Sequence, residues 1–234
     1  MIDEIAARVP ASLKAYRDGV AVGPGGATAL PVAALRDPGV FDTTLSAFGA
    51  GYGAVDRRIL VSYWSQFYLA ALATPALTAL VCLGRPLPLA FDTTRLELDA
   101  DGRPARLLVP AETPDGRSGC ASGLAGLVEG HLRPFVEMCH ARCGIAPRVL
   151  WGNAAVILDY VAGELGCADE PACAAAATRP GWRGSLACAR NPLAQALCAD
   201  ASGCRRRRVC CLRHRLPGVP SCGTLCPLEC AKDR

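Results

Sequence analysis

Apolar positions along the chain recur mostly at helical spacing. The repeat predicts helices in four segments: 2–17, 55–72, 122 onward, and 146–166, the last ending at Gly166. Pro10 is expected to interrupt the first helix, and Pro134 to kink or restart the third. The chain is therefore predicted to build a mainly helical body.

One stretch has the period of a β-hairpin instead of a helix. In "TTRLELDADGRPARLLVP", Leu96 and Leu98 alternate with polar residues, and a second run returns from 105 to 109. Asp101-Gly102 has the composition of the connecting turn. The predicted fold class is α+β: a mostly helical body with a small antiparallel sheet and a C-terminal cysteine-rich segment.

An uncharged segment of eighteen residues, 67–84, approaches the length of a membrane span. It is rich in Ala and Thr and is interrupted by Pro75, so we expect a buried helix pair rather than a membrane helix. The N-terminus has acids where a secretory signal has basic residues. We therefore expect a cytoplasmic protein.

Positive charge is concentrated near the C-terminus. Six of the 25 basic residues are arginines within 205–215, a segment that contains no acidic residue. The rest of the chain has 19 basic and 21 acidic residues. This division, with the change to cysteine-rich composition, predicts a helical body over 1–200 and a cysteine-rich segment over 201–234. The acidic balance of the body and the lack of interleaved aromatics argue against nucleic-acid binding.

Fourteen cysteines in a reducing compartment point to metal or redox chemistry rather than a disulfide framework. The adjacent pair Cys210 and Cys211 is followed, after a Pro/Gly-rich segment, by Cys222 and Cys226. Four thiolates match the ligand count of tetrahedral zinc or of a [2Fe–2S] cluster. The spacing alone leaves three readings open: an iron–sulfur site, a zinc site and a thiol switch.

The tail resembles that of the ferric siderophore reductases, the FhuF-like family, whose signature is C-C-x₁₀-C-x₂-C. "CCLRHRLPGVPSC" matches the pair, the ten-residue spacer and the third cysteine. Two upstream segments, "YWSQFYLAALATPAL" and "HLRPFVEMCHARCGIAPRVLWGNAA", are similar as well, so the resemblance spans roughly residues 45 to 230.

The resemblance implies that Cys210, Cys211, Cys222 and Cys226 hold a [2Fe–2S] cluster. The chain departs from the signature in "CGTLC", which is C-x₃-C where the family usually has C-x₂-C. Cys226 is preferred as the fourth ligand because Gly223 lets the backbone turn tightly, and Cys230 is the alternative.

The implied function is one-electron reduction of siderophore-bound Fe(III) to Fe(II), with release of iron in the cytoplasm. The implied partners are a ferric siderophore and an electron donor such as a ferredoxin or flavin reductase, and peripheral association with the inner membrane is compatible with this role. The rival functions are a zinc-stabilised binding module, a thiol redox sensor and an electron carrier for another acceptor.

Two features of the tail have alternative explanations. The arginines would offset the negative charge of the cluster and attract an anionic chelate, or they form a solvated basic linker. His214 either hydrogen-bonds a cluster sulfur or is an ordinary surface histidine.

Overall fold

A helix of 27 residues, α3 (Arg57–Leu83), lies at the centre of the fold. The computed structural model describes residues 1–26, 28–111, 123–166, 192–199 and 205–228. The other helices are α1 (Ile2–Arg8), α2 (Pro38–Gly49), α4 (Gly123–Leu127), α5 (Arg133–Cys143) and α6 (Pro147–Glu164), and the strands are β1 (Val20–Val22), β2 (Leu30–Pro31), β3 (Arg95–Leu98), β4 (Pro104–Val109), β5 (Leu197–Ala199) and β6 (Arg205–Arg207). The α+β class predicted from the sequence is confirmed.

Helix α3 is continuous through Pro75, so the predicted helix pair is wrong. Proline removes one backbone hydrogen bond and costs roughly 3 kcal/mol in a helix interior. Seventeen residues of α3 are buried, and burial of large side chains such as Trp64 and Tyr68 outweighs that loss. The helix is long and apolar enough to cross a membrane, yet 61% of its most apolar window is buried within the protein.

The sheet that packs on α3 has the strand order β1-β4-β3-β2. Strands β3 and β4 form the predicted antiparallel hairpin, with Leu96 opposite Leu107. However, β1 runs parallel to β4, with Val20 beside Leu107, so the sheet is mixed rather than purely antiparallel. A strand of three residues has too short a pattern to be recognised in the sequence, and its pairing across more than eighty residues is set by the tertiary fold.

Helices α4 and α5 are joined by one turn of π-helix, Val128–Leu132, so the predicted break falls just before Pro134. His131 in this turn is fully buried. Its Nδ1 lies 2.8 Å from the Leu89 carbonyl, and its Nε2 lies 2.5 Å from the Tyr68 hydroxyl. Since a carbonyl only accepts, Nδ1 carries the proton and Tyr68 donates to Nε2. Burial lowers the pKa of His131 to about 4, and the ring is a neutral core group.

The C-terminal segment joins the body through a second, two-stranded sheet. β5 and β6 pair antiparallel, with Cys198 opposite Arg206, and both strands lie against α6. The predicted division of the chain near residue 200 stays a prediction. The sequence from 167 to 204, rich in Ala, Cys, Gly and Pro, is compatible with two short helices, and most of it lies outside the described residues.

The hairpin turn is locked onto the helices at Gly102. Its φ is +74°, and a Cβ there would lie 2.7 Å from the Phe48 backbone nitrogen. The Gly102 carbonyl accepts a hydrogen bond from Trp64 Nε1 at 3.0 Å. This turn therefore combines a left-handed backbone with close contact to α2 and α3.

We expect Gly102→Ala to lower the free energy of unfolding by about 2 to 4 kcal/mol, because it adds left-handed strain to a backbone clash. Urea denaturation followed by circular dichroism measures the change. Gly51→Ala is the control, since a Cβ there meets nothing within 4 Å. Equal effects of the two substitutions on the free energy of unfolding would contradict the special requirement for glycine at position 102.

Candidate metal centre

The four predicted cysteine ligands follow β6 and lie close to the body. Cys211 is 1% exposed and Cys226 is 5% exposed, while Cys210 and Cys222 are partly buried. The Sγ atoms of Cys211 and Cys222 are 3.7 Å apart. The structure thus brings Cys211, the second cysteine of the adjacent pair, together with Cys222 across the ten-residue spacer.

Leu212 shapes the backbone at the cysteine pair. It is the one non-glycine residue with positive φ in the described chain, at +65°. This conformation turns two successive amides towards sulfur: the Leu212 N–H donates to Cys210 Sγ at 3.3 Å, and the Arg213 N–H donates to Cys211. Successive amides of this kind form a concave anion site, and hydrogen bonds to sulfur tune cluster potentials.

A buried polar cluster fixes this turn to the helical body. The Ser62 hydroxyl on α3 donates to the Cys211 carbonyl at 2.6 Å. Asn153 on α6 donates through Nδ2 to the Ser62 carbonyl at 3.0 Å and to Ser65 Oγ at 3.1 Å. All three side chains are fully buried, so the position of Cys211 is set by residues of two helices that precede it by 58 positions or more.

The extra residue between Cys222 and Cys226 is accommodated by a short 3₁₀ turn, Gly223–Leu225. Gly223 has φ of +57°, as its expected role in a tight turn requires, and the Cys226 N–H donates to its carbonyl at 2.8 Å. The turn directs Cys226 into the interior. The alternative ligand, Cys230, lies outside the described residues.

The run of arginines is not a solvated linker. Arg205 forms an ion pair with Asp159 of α6 at 2.6 Å, and both side chains are largely buried. Arg208 donates through Nε to the Leu197 carbonyl at 2.9 Å. Arg207 is only 3% exposed. Because 205–207 form β6, consecutive side chains leave the strand on opposite faces and have different environments.

Arg207 has the most unusual environment of these arginines. Its Nε and one Nη nitrogen are buried and have no hydrogen-bond partner in the described chain. Its positive charge acts on Cys210, Cys211 and Cys222. A buried cation without compensating charge costs several kcal/mol, so the geometry fits cysteine sulfurs that carry negative charge.

The sulfurs themselves show the same electrostatic pattern. A proton shared with Cys222 lowers the pKa of Cys211, and Arg207 acts in the same direction. The shared proton and burial raise the pKa of Cys222. Burial raises the pKa of Cys210, whereas the Leu212 amide opposes this shift. The Cys211–Cys222 pair therefore holds one negative charge more readily than isolated thiols.

His214 lies with its Nδ1 3.5 Å from Cys210 Sγ, which favours the sulfur-contacting alternative. Across the described ranges, no group of three or more His, Cys, Asp or Glu side chains is already arranged around a single metal position. The predicted ligand set of Cys210, Cys211, Cys222 and Cys226 stays a prediction.

Several residues that shape the site carried no recognisable sequence signal. Ser62 and Asn153 are single polar residues within apolar helices, and their meeting depends on the packing of α3 against α6. Leu212 has a residue type that rarely adopts positive φ. Arg207 was detectable only as one of four arginines, because β6 has too few residues to show an alternating pattern.

Comparison with known proteins identifies the chemistry of this site. Residues 62–207 match the family described as ferric iron reductase FhuF-like transporter, and residues 207–228 match the FhuF 2Fe-2S C-terminal domain. The ferric siderophore reductase of Escherichia coli (strain K12) is 24% identical over 183 residues, which cover 72% of this chain and 65% of that protein. The chain thus spans somewhat less than two thirds of the length of this curated relative.

The cofactor of the tail is a [2Fe–2S] cluster, as the resemblance implied. The residues present fit it: four cysteines, two amides directed at sulfur, and a buried arginine, two of whose nitrogens have no hydrogen-bond partner among the described residues. The zinc alternative has no comparable support.

We expect Arg207→Met to lower the midpoint potential of the cluster, because reduction adds negative charge next to a lost cation. If the reduced cluster loses about 1.4 kcal/mol of electrostatic stabilisation, the midpoint potential of a one-electron couple falls by about 60 mV. EPR-monitored redox titration measures the shift. Arg215→Met, which removes an equal charge from an exposed position, should change the potential much less; equal shifts would argue against a special role of Arg207.

Proposed function

Because the chain belongs to the ferric iron reductase FhuF-like family, we propose that it reduces ferric siderophores. In this proposal one electron converts chelated Fe(III) to Fe(II), and the iron is released in the cytoplasm. The observation that carries the proposal is the cysteine tail, in which Cys211 and Cys222 meet and the buried Arg207 acts on both sulfurs. The related siderophore reductase supports the choice of substrate.

The chemistry needs little beyond electron delivery. Siderophores hold Fe(III) with hard, anionic oxygens, and these bind the softer Fe(II) far less tightly. The electron is supplied by a donor such as a ferredoxin or a flavin reductase, and no covalent bond of the chelate is broken. The [2Fe–2S] group supplies a one-electron redox couple when bound.

The residues of the chain have separable tasks in this scheme. Cys210, Cys211, Cys222 and Cys226 would hold the cluster. Ser62 fixes the backbone of the pair against α3. Arg207 stabilises negative charge at the sulfurs, and its burial keeps that interaction largely out of solvent screening.

The proposal includes three points of cellular context. The protein acts in the cytoplasm, it takes no nucleic acid as partner, and its association with the inner membrane is peripheral. Helix α3 supports the last point only by its burial, which leaves little apolar surface of this segment for a bilayer. Cell fractionation with salt and carbonate washes tests the location.

The decisive test uses protein purified without oxygen. We expect equal amounts of iron and acid-labile sulfide, and a rhombic EPR signal after reduction. Reduced protein mixed with a ferric hydroxamate or a ferric catecholate should lose that signal and produce an equimolar amount of Fe(II), trapped by a ferrous chelator. A reduced protein that keeps its electron in the presence of every ferric chelate would overturn the reductase function, while leaving an electron carrier.

Cysteine substitutions test the ligand set. We expect Cys210→Ser, Cys211→Ser and Cys226→Ser to abolish iron and sulfide retention, because each removes one thiolate from the cluster. Cys230→Ser and Cys120→Ser should retain both. Visible absorption and iron content of anaerobically purified variants measure the result. Loss of the cluster in Cys230→Ser, with retention in Cys226→Ser, would assign the fourth ligand to Cys230.

A further inference from the structure

A second chemically distinctive surface lies beside the cysteine tail. Four aromatic rings cluster on α2, α3 and the loop between them: Phe48 contacts Tyr52, Tyr63 and Phe67 at centroid distances of 5.5 to 5.9 Å. Tyr63 and Phe67 meet edge to face at 5.1 Å. Phe48 is buried, but the other three rings are partly exposed.

Two arginines lie over this aromatic pair. The Arg213 guanidinium is 5.3 Å from the Tyr63 ring centroid, and the Arg103 guanidinium is 5.5 Å from that of Phe67. We call Tyr52, Tyr63, Phe67, Arg103 and Arg213 the aromatic–arginine face. It combines planar apolar surface with two fixed positive charges contributed by the hairpin and the tail.

Neither guanidinium has a tight carboxylate partner among the described residues. Arg213 forms no ion pair there, and the ion pair of Arg103 is with Asp101, at 3.7 Å and 70% exposed. Surface pairs of that kind contribute little. The Asp99 carboxylate accepts from the backbone amide of Arg103, not from its guanidinium. The buried Nε of both arginines also lacks a hydrogen-bond partner in the described ranges. The face is therefore electrostatically prepared for an anion.

The position of this face relative to the sulfurs is fixed by short covalent connections. Arg213 follows Cys211 by two residues, and its guanidinium acts electrostatically on both the Cys211 sulfur and the Tyr63 hydroxyl. Tyr63 in turn follows Ser62, whose hydroxyl holds the Cys211 carbonyl. A molecule bound on the face would lie against the same turn that carries the cysteine pair.

Resting on the proposed reductase function, we propose that the aromatic–arginine face binds the substrate, and that it selects ferric chelates of net negative charge over neutral ones. The preferred groups are planar oxyanions of the catecholate or carboxylate type. The guanidinium fork matches planar oxyanions in a bidentate manner, and the partly exposed rings offer edge-to-face contacts to a catecholate ring. A neutral trishydroxamate complex would gain the apolar contact but no charge pairing.

Gallium(III) complexes separate binding from reduction, because Ga(III) takes the place of Fe(III) but does not accept the electron. We expect holoprotein to bind a Ga(III) tris-catecholate and a Ga(III) citrate-type chelate more tightly than a neutral Ga(III) trishydroxamate. The preference should shrink as salt is raised. Titration calorimetry at two salt concentrations measures these affinities. Comparison of the tris-catecholate with the citrate-type chelate shows whether the aromatic rings of the ligand increase affinity beyond the effect of its charge.

Substitutions locate the site. Arg103→Met/Arg213→Met should weaken binding of the anionic complexes about tenfold or more and leave the neutral complex within about twofold. Arg103→Met alone, at a position remote in sequence from the tail, should give part of this loss with an unchanged cluster EPR signal. Arg148→Met removes an equal charge from an exposed residue of α6 and serves as the matched control.

The outcomes distinguish this inference from the proposed function. Equal affinity for anionic and neutral complexes, or undiminished anion binding in the double variant with its cluster intact, overturns the inference and leaves the reductase function in place. Selective binding of the anionic complexes, without electron transfer to any ferric chelate, anionic or neutral, overturns the reductase function and leaves an anion-binding face.

Discussion

The hydrogen bond from the Ser62 hydroxyl to the Cys211 carbonyl is the contact on which the site depends. The tail from 208 to 228 has little regular structure beyond two short 3₁₀ turns, so its backbone gains few internal hydrogen bonds. A polar group placed in the interior must find a partner there. Ser62 supplies that partner, and Asn153 holds Ser62 in turn, so the α3–α6 contact determines where the cysteine pair lies.

Electrostatics couple this geometry to the cofactor. Arg207 is the residue at which the two family matches meet, and it places a buried charge beside three sulfurs. If those sulfurs carry no negative charge, the Arg207 cation is poorly compensated. When they are negatively charged, the Arg207 cation reduces the repulsion between them. Folding of the tail and binding of the cluster are therefore linked processes, as in other small metal-dependent segments. The ion pair of Arg205 with Asp159 attaches the same strand to α6 independently of the cofactor.

The sequence predicted the parts of this structure that depend on local pattern. The hairpin, the helical segments and the interruptions at Pro10 and before Pro134 all appear, because periodicity and proline act over a few residues. Pro75 was misread since the burial that overrides a proline is a property of the whole α3 helix. The parallel pairing of β1, the neutral His131 and the division of labour among the arginines depend on partners distant in sequence.

The left-handed turn at Leu212 explains why the first two cysteines are neighbours. Each sulfur accepts a hydrogen bond from the amide two residues later in the chain, Leu212 for Cys210 and Arg213 for Cys211, so one bend of the chain serves both. If a residue were inserted between the cysteines, the bend at Leu212 would no longer direct an amide at both sulfurs. The adjacency of the two cysteines thus lets a single bend supply an amide donor to both sulfurs, whereas Cys222 and Cys226 are connected by a separate 3₁₀ turn.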